Sequence, residues 1–110
     1  MATWVAQTRK GLVELAILAA LRLGEAYGYQ ILQRLGRAGC LAIGESTVYP
    51  ILARLAKDGM VKVRVADSPT GPPRRYYRLT PTGQSRLAEM AAYWKDVRSA
   101  IDHLLEGDKP

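Results

Sequence analysis

Between Arg9 and Leu23, apolar residues return at Leu12, Leu15, Ile17, Leu18 and Leu21, the spacing of an amphipathic helix, and Gly24 offers it an end. The residues ahead of it, MATWVAQ, show no period of their own and read as an N-terminal arm anchored by Trp4. A second helix is expected in YGYQILQRLGRAG, with Tyr29, Leu32 and Leu35 on one side, Ile31 at its margin, and exits at Gly36 and Gly39. Gly28 in its first turn permits close approach of either a helix or a phosphate. Cys40 to Ile43 is a short apolar run with the character of a small strand. The third helical stretch, TVYPILARLAKDG, has Ser46 as a candidate cap. At about 100° per residue, Val48, Ile51, Leu52 and Leu55 converge on one face, and Thr47, Pro50, Arg54 and Lys57 gather on the other. Pro50 falls slightly late for a first-turn proline and leaves one backbone bond unmade or distorts the turn. Gly59 stops this helix.

The period then changes. In VKVRV, Val61, Val63 and Val65 point inward and Lys62 and Arg64 outward. YYRL, from Tyr76 to Leu79, answers as a second strand, and the turn formers of ADSPTGPP join the two as a stiff, basic hairpin. Thr80 caps a last helix with Pro81 in its first turn. Along that helix Leu87, Met90, Trp94, Val97, Ile101 and Leu104 are spaced alternately three and four apart, a seam of nearly three heptads. A helix of about 25 residues is about 37 Å long, too long for the preceding domain to cover. The expected architecture is therefore α+β: three helices and a two- or three-stranded wing in a winged helix-turn-helix, followed by one long C-terminal dimerisation helix. Residues 1–80 form the nucleic-acid-binding part with its N-terminal arm, 81–106 the dimerisation helix, and 107–110 a flexible tail.

Charge sharpens this picture. The chain of 110 residues has sixteen Lys and Arg against ten Asp and Glu, a net +6. The whole excess lies before residue 81, and the tail is close to neutral. Basic clustering fits phosphate contact. Nothing resembles a signal peptide. The apolar run from Gly11 to Leu23 contains Glu14 and Arg22 and is too short to span a bilayer. The lone Cys40 excludes an internal disulfide and fits a reducing cytoplasm. Enzyme chemistry finds no constellation. His103 lies four residues from Ser99, Asp102 does not face it, one Cys and one His far apart make no metal site, and no glycine loop has phosphate-cradling spacing. No cofactor is expected.

Candidate chemistry therefore concentrates at two places. In a winged helix the third helix enters the major groove. It would present Thr47, Pro50 and Arg54, with Tyr49 beside them and Lys57 near the DNA backbone. Arg54 suits guanine acceptors, and Thr47 can offer a methyl or hydroxyl. The plainer alternative is a solvated helix face. In the wing, Lys62, Arg64, Arg74, Arg75 and Arg78 stand against Asp67 alone, and such side chains reach phosphates or the minor groove. Arg74 and Arg75 are the preferred pair. Tyr76 and Tyr77 alternate across their strand, so one packs inside and the other can hydrogen-bond a phosphate. Tyr77 is the one assigned to DNA.

STVYPILARLAKDGMV at 46–61, GPPRRYYRLTPTG at 71–83 and YGYQI at 27–31 resemble the PadR family of bacterial transcriptional regulators, in particular its small subclass with a single C-terminal dimerisation helix. The resemblance runs from about Leu12 to Gly83. Ala56 departs from the acidic residue often found there. The resemblance implies a homodimer bound to a palindromic operator, usually as a repressor, with Tyr49 and Thr47 at the DNA and Arg74 and Arg75 on the wing. It also implies a possible effector site for a small planar aromatic or phenolic compound at the dimer interface. Trp94 sits mid-seam, where an indole can stack on a ligand or simply fill a dimer core. Met90, Val97 and Trp4 would be its neighbours, and Trp4, Leu87, Met90, Trp94, Val97, Ile101 and Leu104 would form the interface. Two other readings stand beside this one: a winged-helix interaction module that dimerises without reading DNA, and an architectural protein indifferent to sequence. No membrane partner is expected.

Overall fold

Ile17, Leu18, Ile31, Val48 and Leu52 are fully buried and belong to three different helices, which meet around them. The computed structural model describes residues 3–107. Helix α1 spans Thr3–Ala20 and passes through a 3-10 turn, Leu21–Leu23, to Gly24, whose φ of 124° is one that side-chain-bearing residues rarely adopt. A two-residue strand β1, Ala26–Tyr27, leads into α2, Gly28–Arg37. A second 3-10 turn, Gly39–Leu41, precedes α3, Glu45–Lys57. The hairpin strands are β2, Val61–Ser68, and β3, Gly71–Leu79, and α4, Pro81–Glu106, completes the chain. The three strands form one antiparallel sheet in the order β1-β3-β2.

Several boundaries differ from the sequence expectation, each for a local reason. There is no separate N-terminal arm among the described residues, because α1 begins at Thr3. Its first turns are exposed, with Trp4 at 69%, so no core contact imposes an apolar period there. In α2 the buried stripe is Gly28, Ile31 and Leu35, an i, i+3, i+7 series; Ile31 is central, whereas Tyr29 is exposed and Gly36 lies inside the helix. Cys40 to Ile43 is not a strand. Turn bonds Leu41 N–H to Ala38 O (2.7 Å) and Ala42 N–H to Gly39 O (3.2 Å) curl it, and Arg9 Nε donates to Cys40 O at 2.8 Å. The third strand is Ala26–Tyr27, paired with Tyr77 and Tyr76. Gly44, rather than Ser46, caps α3, its carbonyl accepting from the N–H groups of Thr47 and Val48, both at 3.1 Å. Pro50 is therefore inside the helix, in its second turn.

The hairpin is longer than expected. ADSPTGPP is strand on both sides of a two-residue turn, Pro69 and Thr70, with Ser68 opposite Gly71. The register slips by one residue between Ala66 and Ser68. Pro72 and Pro73 occupy that irregularity, where a missing N–H does least harm to a ladder. Val61 is buried and Val63 half-buried, but Val65, expected inward, is 62% exposed because the hairpin outruns the core.

Helix α4 is tied on by the loop that follows α3. Gly59 (φ 76°) ends α3. Thr80 Oγ1 then donates towards the Gly59 carbonyl (2.6 Å) and accepts from Gly83 N–H (3.0 Å), while Thr80 N–H donates to Met60 O (3.1 Å). Gly83 is buried against Met60: a methyl there would sit 2.9 Å from the Met60 carbonyl carbon and 3.3 Å from its Cα. Leu87 and Met90 then pack on the core beside Leu12 and Leu15 of α1. Past Val97 every described residue of α4 is exposed, and the molecule extends to 62 × 33 × 21 Å. The clash at Gly83 is with backbone, which cannot swing away as a side chain can. Gly83→Ala should lower unfolding stability by roughly 1–3 kcal/mol, measured as a shift of the urea midpoint at unchanged m-value.

Candidate nucleic-acid interface

Helix α3 buries Val48, Leu52 and Leu55 and half-buries Ile51, so Thr47, Tyr49, Pro50, Arg54 and Lys57 stand on its exposed faces. They do not all look the same way. Tyr49 leans over α2, where its ring covers Gly28 so closely that a Cβ would lie 2.8 Å from the hydroxyl oxygen. The two uses left open for Gly28 are thereby resolved in favour of helix-to-helix approach. Desolvation raises the Tyr49 pKa, and the nearby Glu45 carboxylate adds to it, so its hydroxyl keeps its proton. On the opposite flank Arg54 turns towards α1, where its Nη2 donates to Glu14 Oε1 at 3.1 Å. The other Glu14 oxygen accepts from Arg86 of α4 at 3.4 Å. Arg54 is thus held by a carboxylate, away from Tyr49.

The wing sorts its charges by strand alternation. Lys62, Arg64, Arg74, Tyr76 and Arg78 share the outer face of the sheet with Tyr27, whereas Val63, Val65, Arg75 and Tyr77 lie on the face towards α3. Arg74 and Arg75, paired on sequence grounds, therefore approach α3 from different sides of one strand. Tyr77 is the inward ring, 6% exposed, and burial raises its pKa. Its assignment as an outward phosphate ligand is corrected: it belongs to the core and only its edge reaches the surface. Arg64 is bound by Glu25 through two bonds, Nη2 to Oε1 at 2.6 Å and Nε to Oε2 at 3.2 Å. These hydrogen bonds hold the Glu25 carboxyl below the usual carboxylate range.

Between wing and helices lies an open groove of about 600 Å³ lined by Tyr27, Gly28, Tyr29, Tyr49, Pro73, Arg74, Arg75 and Tyr77. Arg75 has no salt bridge among the described residues, and neither do Lys57 and Lys62. Tyr27 and Tyr29 were missed as site residues. The signal was available in the repeated Tyr of YGY, but only the pairing of β1 with β3 brings it beside Arg74.

The α4 seam divides in two. Leu87 and Met90 pack on the chain's own core, Val97 is half-buried, and Trp94, Ile101 and Leu104 are exposed. Two apolar grooves of about 380 and 360 Å³ flank the contact of α1 with α4, and Leu12, Leu15 and Trp94 line both. Met90 and Val97 line the larger, together with Tyr93, which lies off the three-four spacing and so escaped notice. Trp4 lines neither, contrary to its grouping with Trp94. Among the described residues no cluster of His, Cys, Asp or Glu could hold a metal, and no helix is long and apolar enough to cross a membrane.

Three packed helices, a third helix with an exposed polar face, and a basic three-stranded wing define a winged helix-turn-helix protein, here with a long C-terminal helix. The chain belongs to the transcriptional regulator PadR-like family, whose pattern it matches over residues 17–89. That family consists of regulators of transcription, not enzymes. A PadR family regulator from Eggerthella lenta is 31% identical, with a TM-score of 0.84 over 96% of this chain and 92% of that one. A PadR-like regulator from Bacillus cereus is 32% identical, with a TM-score of 0.82 over 93% and 99% of the two chains. Bacillus subtilis PadR, solved in complex with operator DNA, is 28% identical with a TM-score of 0.68, over 73% of this chain and 46% of that one. An uncharacterized protein of Lysinibacillus sphaericus is 33% identical over 48 residues, 44% of each chain, so this chain spans less than half of that curated relative.

The Glu25–Arg64 pair makes stability depend on pH. Because the folded Glu25 pKa is lowered, its contribution is present above the ordinary glutamate value of about 4.3 and is lost as pH falls through the lowered value. Wild type should therefore be more stable than Glu25→Gln at pH 7, with the gap closing below that range. Urea midpoints across a pH series check this; a constant gap would mean the pair contributes nothing through charge.

Proposed function

We propose that this protein is a homodimeric, sequence-specific DNA-binding regulator of transcription that acts in the cytoplasm as a repressor. The observation that carries the reading is the groove that Tyr49 of α3 lines together with Arg74 and Arg75 of the wing. Helix α3 enters the major groove, with Thr47, Tyr49 and Pro50 at base edges and Lys57 near the backbone. Arg74, Arg75 and Lys62 meet phosphates and set register. Arg54 and Arg64 are held by Glu14 and Glu25, which supports a framing role for both, with base or phosphate contact requiring release of the carboxylate. The complex of Bacillus subtilis PadR with operator DNA supports the choice of DNA as partner.

Residues 1–80 carry the DNA contacts in this reading and 81–106 carry dimerisation. Exposed Trp94, Ile101, Leu104 and Leu105 on one projecting helix support the second role, since a self-complementary contact is the commonest way to cover such a surface. Two symmetric α3 helices would read a palindromic operator with half-sites about one helical turn, or a small multiple, apart. A small planar aromatic or phenolic effector would bind beside Trp94, Met90 and Val97 and release the repressor by favouring a different spacing of the two halves.

The test is a fluorescence-anisotropy titration against a duplex from the gene's own upstream region and a scrambled duplex, at two salt concentrations, with mass by light scattering. A dimer should bind the first duplex more tightly. Arg74→Ala with Arg75→Ala should weaken binding to every duplex and reduce the slope of log K against log salt by about two. Dimers that bind neither duplex at either salt would overturn the reading in favour of a protein-interaction module. Equal, weak, salt-sensitive binding to both would reject the upstream region as the operator.

A further inference from the structure

The outer face of the sheet holds a continuous stack. Arg74 Cζ lies 4.5 Å from the centroid of the Tyr27 ring, and Tyr27 meets Tyr76 edge to face with centroids 5.6 Å apart at 70°. Arg64 Cζ lies 4.7 Å from the Tyr76 centroid, and Glu25 closes the series by accepting two hydrogen bonds from Arg64. The two guanidiniums at its ends differ in what they can still do. Arg64 has its Nε and Nη2 donors engaged by a carboxylate. Arg74 has no salt bridge among the described residues; it rests over an aromatic face, which restrains the guanidinium without engaging its N–H groups in an ion pair. It also lines the groove with Tyr49 and Arg75.

Tyr27 is unusual in belonging to two structures at once. It is the β1 residue opposite Tyr76, and it is the cap of α2, its N–H donating to Gln30 Oε1 at 3.0 Å. A guanidinium resting on this ring is therefore referenced to α2, against which Tyr49 of α3 packs through Gly28. We propose that Tyr27 is a positioning residue for DNA binding: its ring holds Arg74 in the conformation that meets a phosphate. This rests on the DNA reading above. A long side chain normally loses rotamer freedom when it binds, and Tyr27 removes part of that loss before DNA arrives.

The test is a double-mutant cycle on the bound duplex with Tyr27→Leu, Arg74→Ala and both together, each measured across a salt series. Arg74→Ala should weaken binding and lower the magnitude of the salt slope by about one. Tyr27→Leu should weaken binding about threefold to tenfold with the slope unchanged, because the phosphate contact persists but is less well organised. In the Arg74→Ala background Tyr27→Leu should have no further effect. Arg74→Lys, which keeps charge but not the planar stack, leaves β1 and α2 intact and should reproduce the Tyr27→Leu phenotype even if Tyr27→Leu folds poorly. Tyr27→Phe should bind as wild type. Loss of affinity that is the same with and without Arg74, or Arg74→Lys binding as tightly as wild type, would overturn the positioning role while leaving DNA binding intact. An unaffected Arg74→Ala would do the same. Failure of wild type to bind any duplex would instead sink the DNA reading itself.

Discussion

The alternation of one strand organises this molecule. β3 is hydrogen-bonded on both sides, to β1 and to β2, and successive side chains on it must face opposite ways. Tyr77 goes inward and closes the core beside the helices. Tyr76 goes outward and receives Arg64 and Tyr27. Shifting this register by one residue would bury Arg78 and Tyr76 and expose Tyr77 and Leu79. Burying an unpaired guanidinium costs far more than any turn preference can offset, so the register is strongly specified. Both sides of the candidate interface inherit their placement from it, Arg75 on the face of α3 and Arg74 on the face of Tyr27.

Helix α1 is the second organising element because it is apolar on more than one side. Val13, Ile17 and Leu18 face the core, and Leu12 and Leu15 line the grooves against α4. Glu14 lies between these faces and binds one arginine from α3 and one from α4. Exposed ion pairs of this kind add little stability, but they give the two helices a common reference. The backbone contact of Gly83 with Met60 and the bonds of Thr80 fix where α4 starts. Any change that reorients α4 therefore begins from a rigid root next to the end of α3.

Such an arrangement suits a regulator. The surfaces proposed to meet DNA are built on α3, which packs on the core, and on a hairpin whose tip outruns that core, whereas the surface proposed to meet a second copy projects on a single helix. Trp94 lies where these regimes meet, lining both grooves between α1 and α4.

The order of the four helices and the hairpin, the core face of α3, the inner parts of the wing strands and the cap of α4 were legible in the sequence because each rests on local periodicity or local capping chemistry. The apolar seam of α4 was legible too. What local pattern could not decide was which surface each residue meets. Leu87 and Met90 fit a seam for a partner equally well, yet α1 lies there first. Arg54 sits on the exposed arc of α3, but Glu14, forty positions earlier, claims it. The short strand at Ala26–Tyr27 has no period to detect and exists only because β3 offers it an edge. The same pairing brings Tyr27 beneath Arg74, a contact between residues whose separation along the chain carries no signal. Sequence by itself determined the four helices and the hairpin, since helix and strand periods are encoded within a few residues. Only the tertiary structure decided the contacts, since those depend on which distant side chains arrive at the same place.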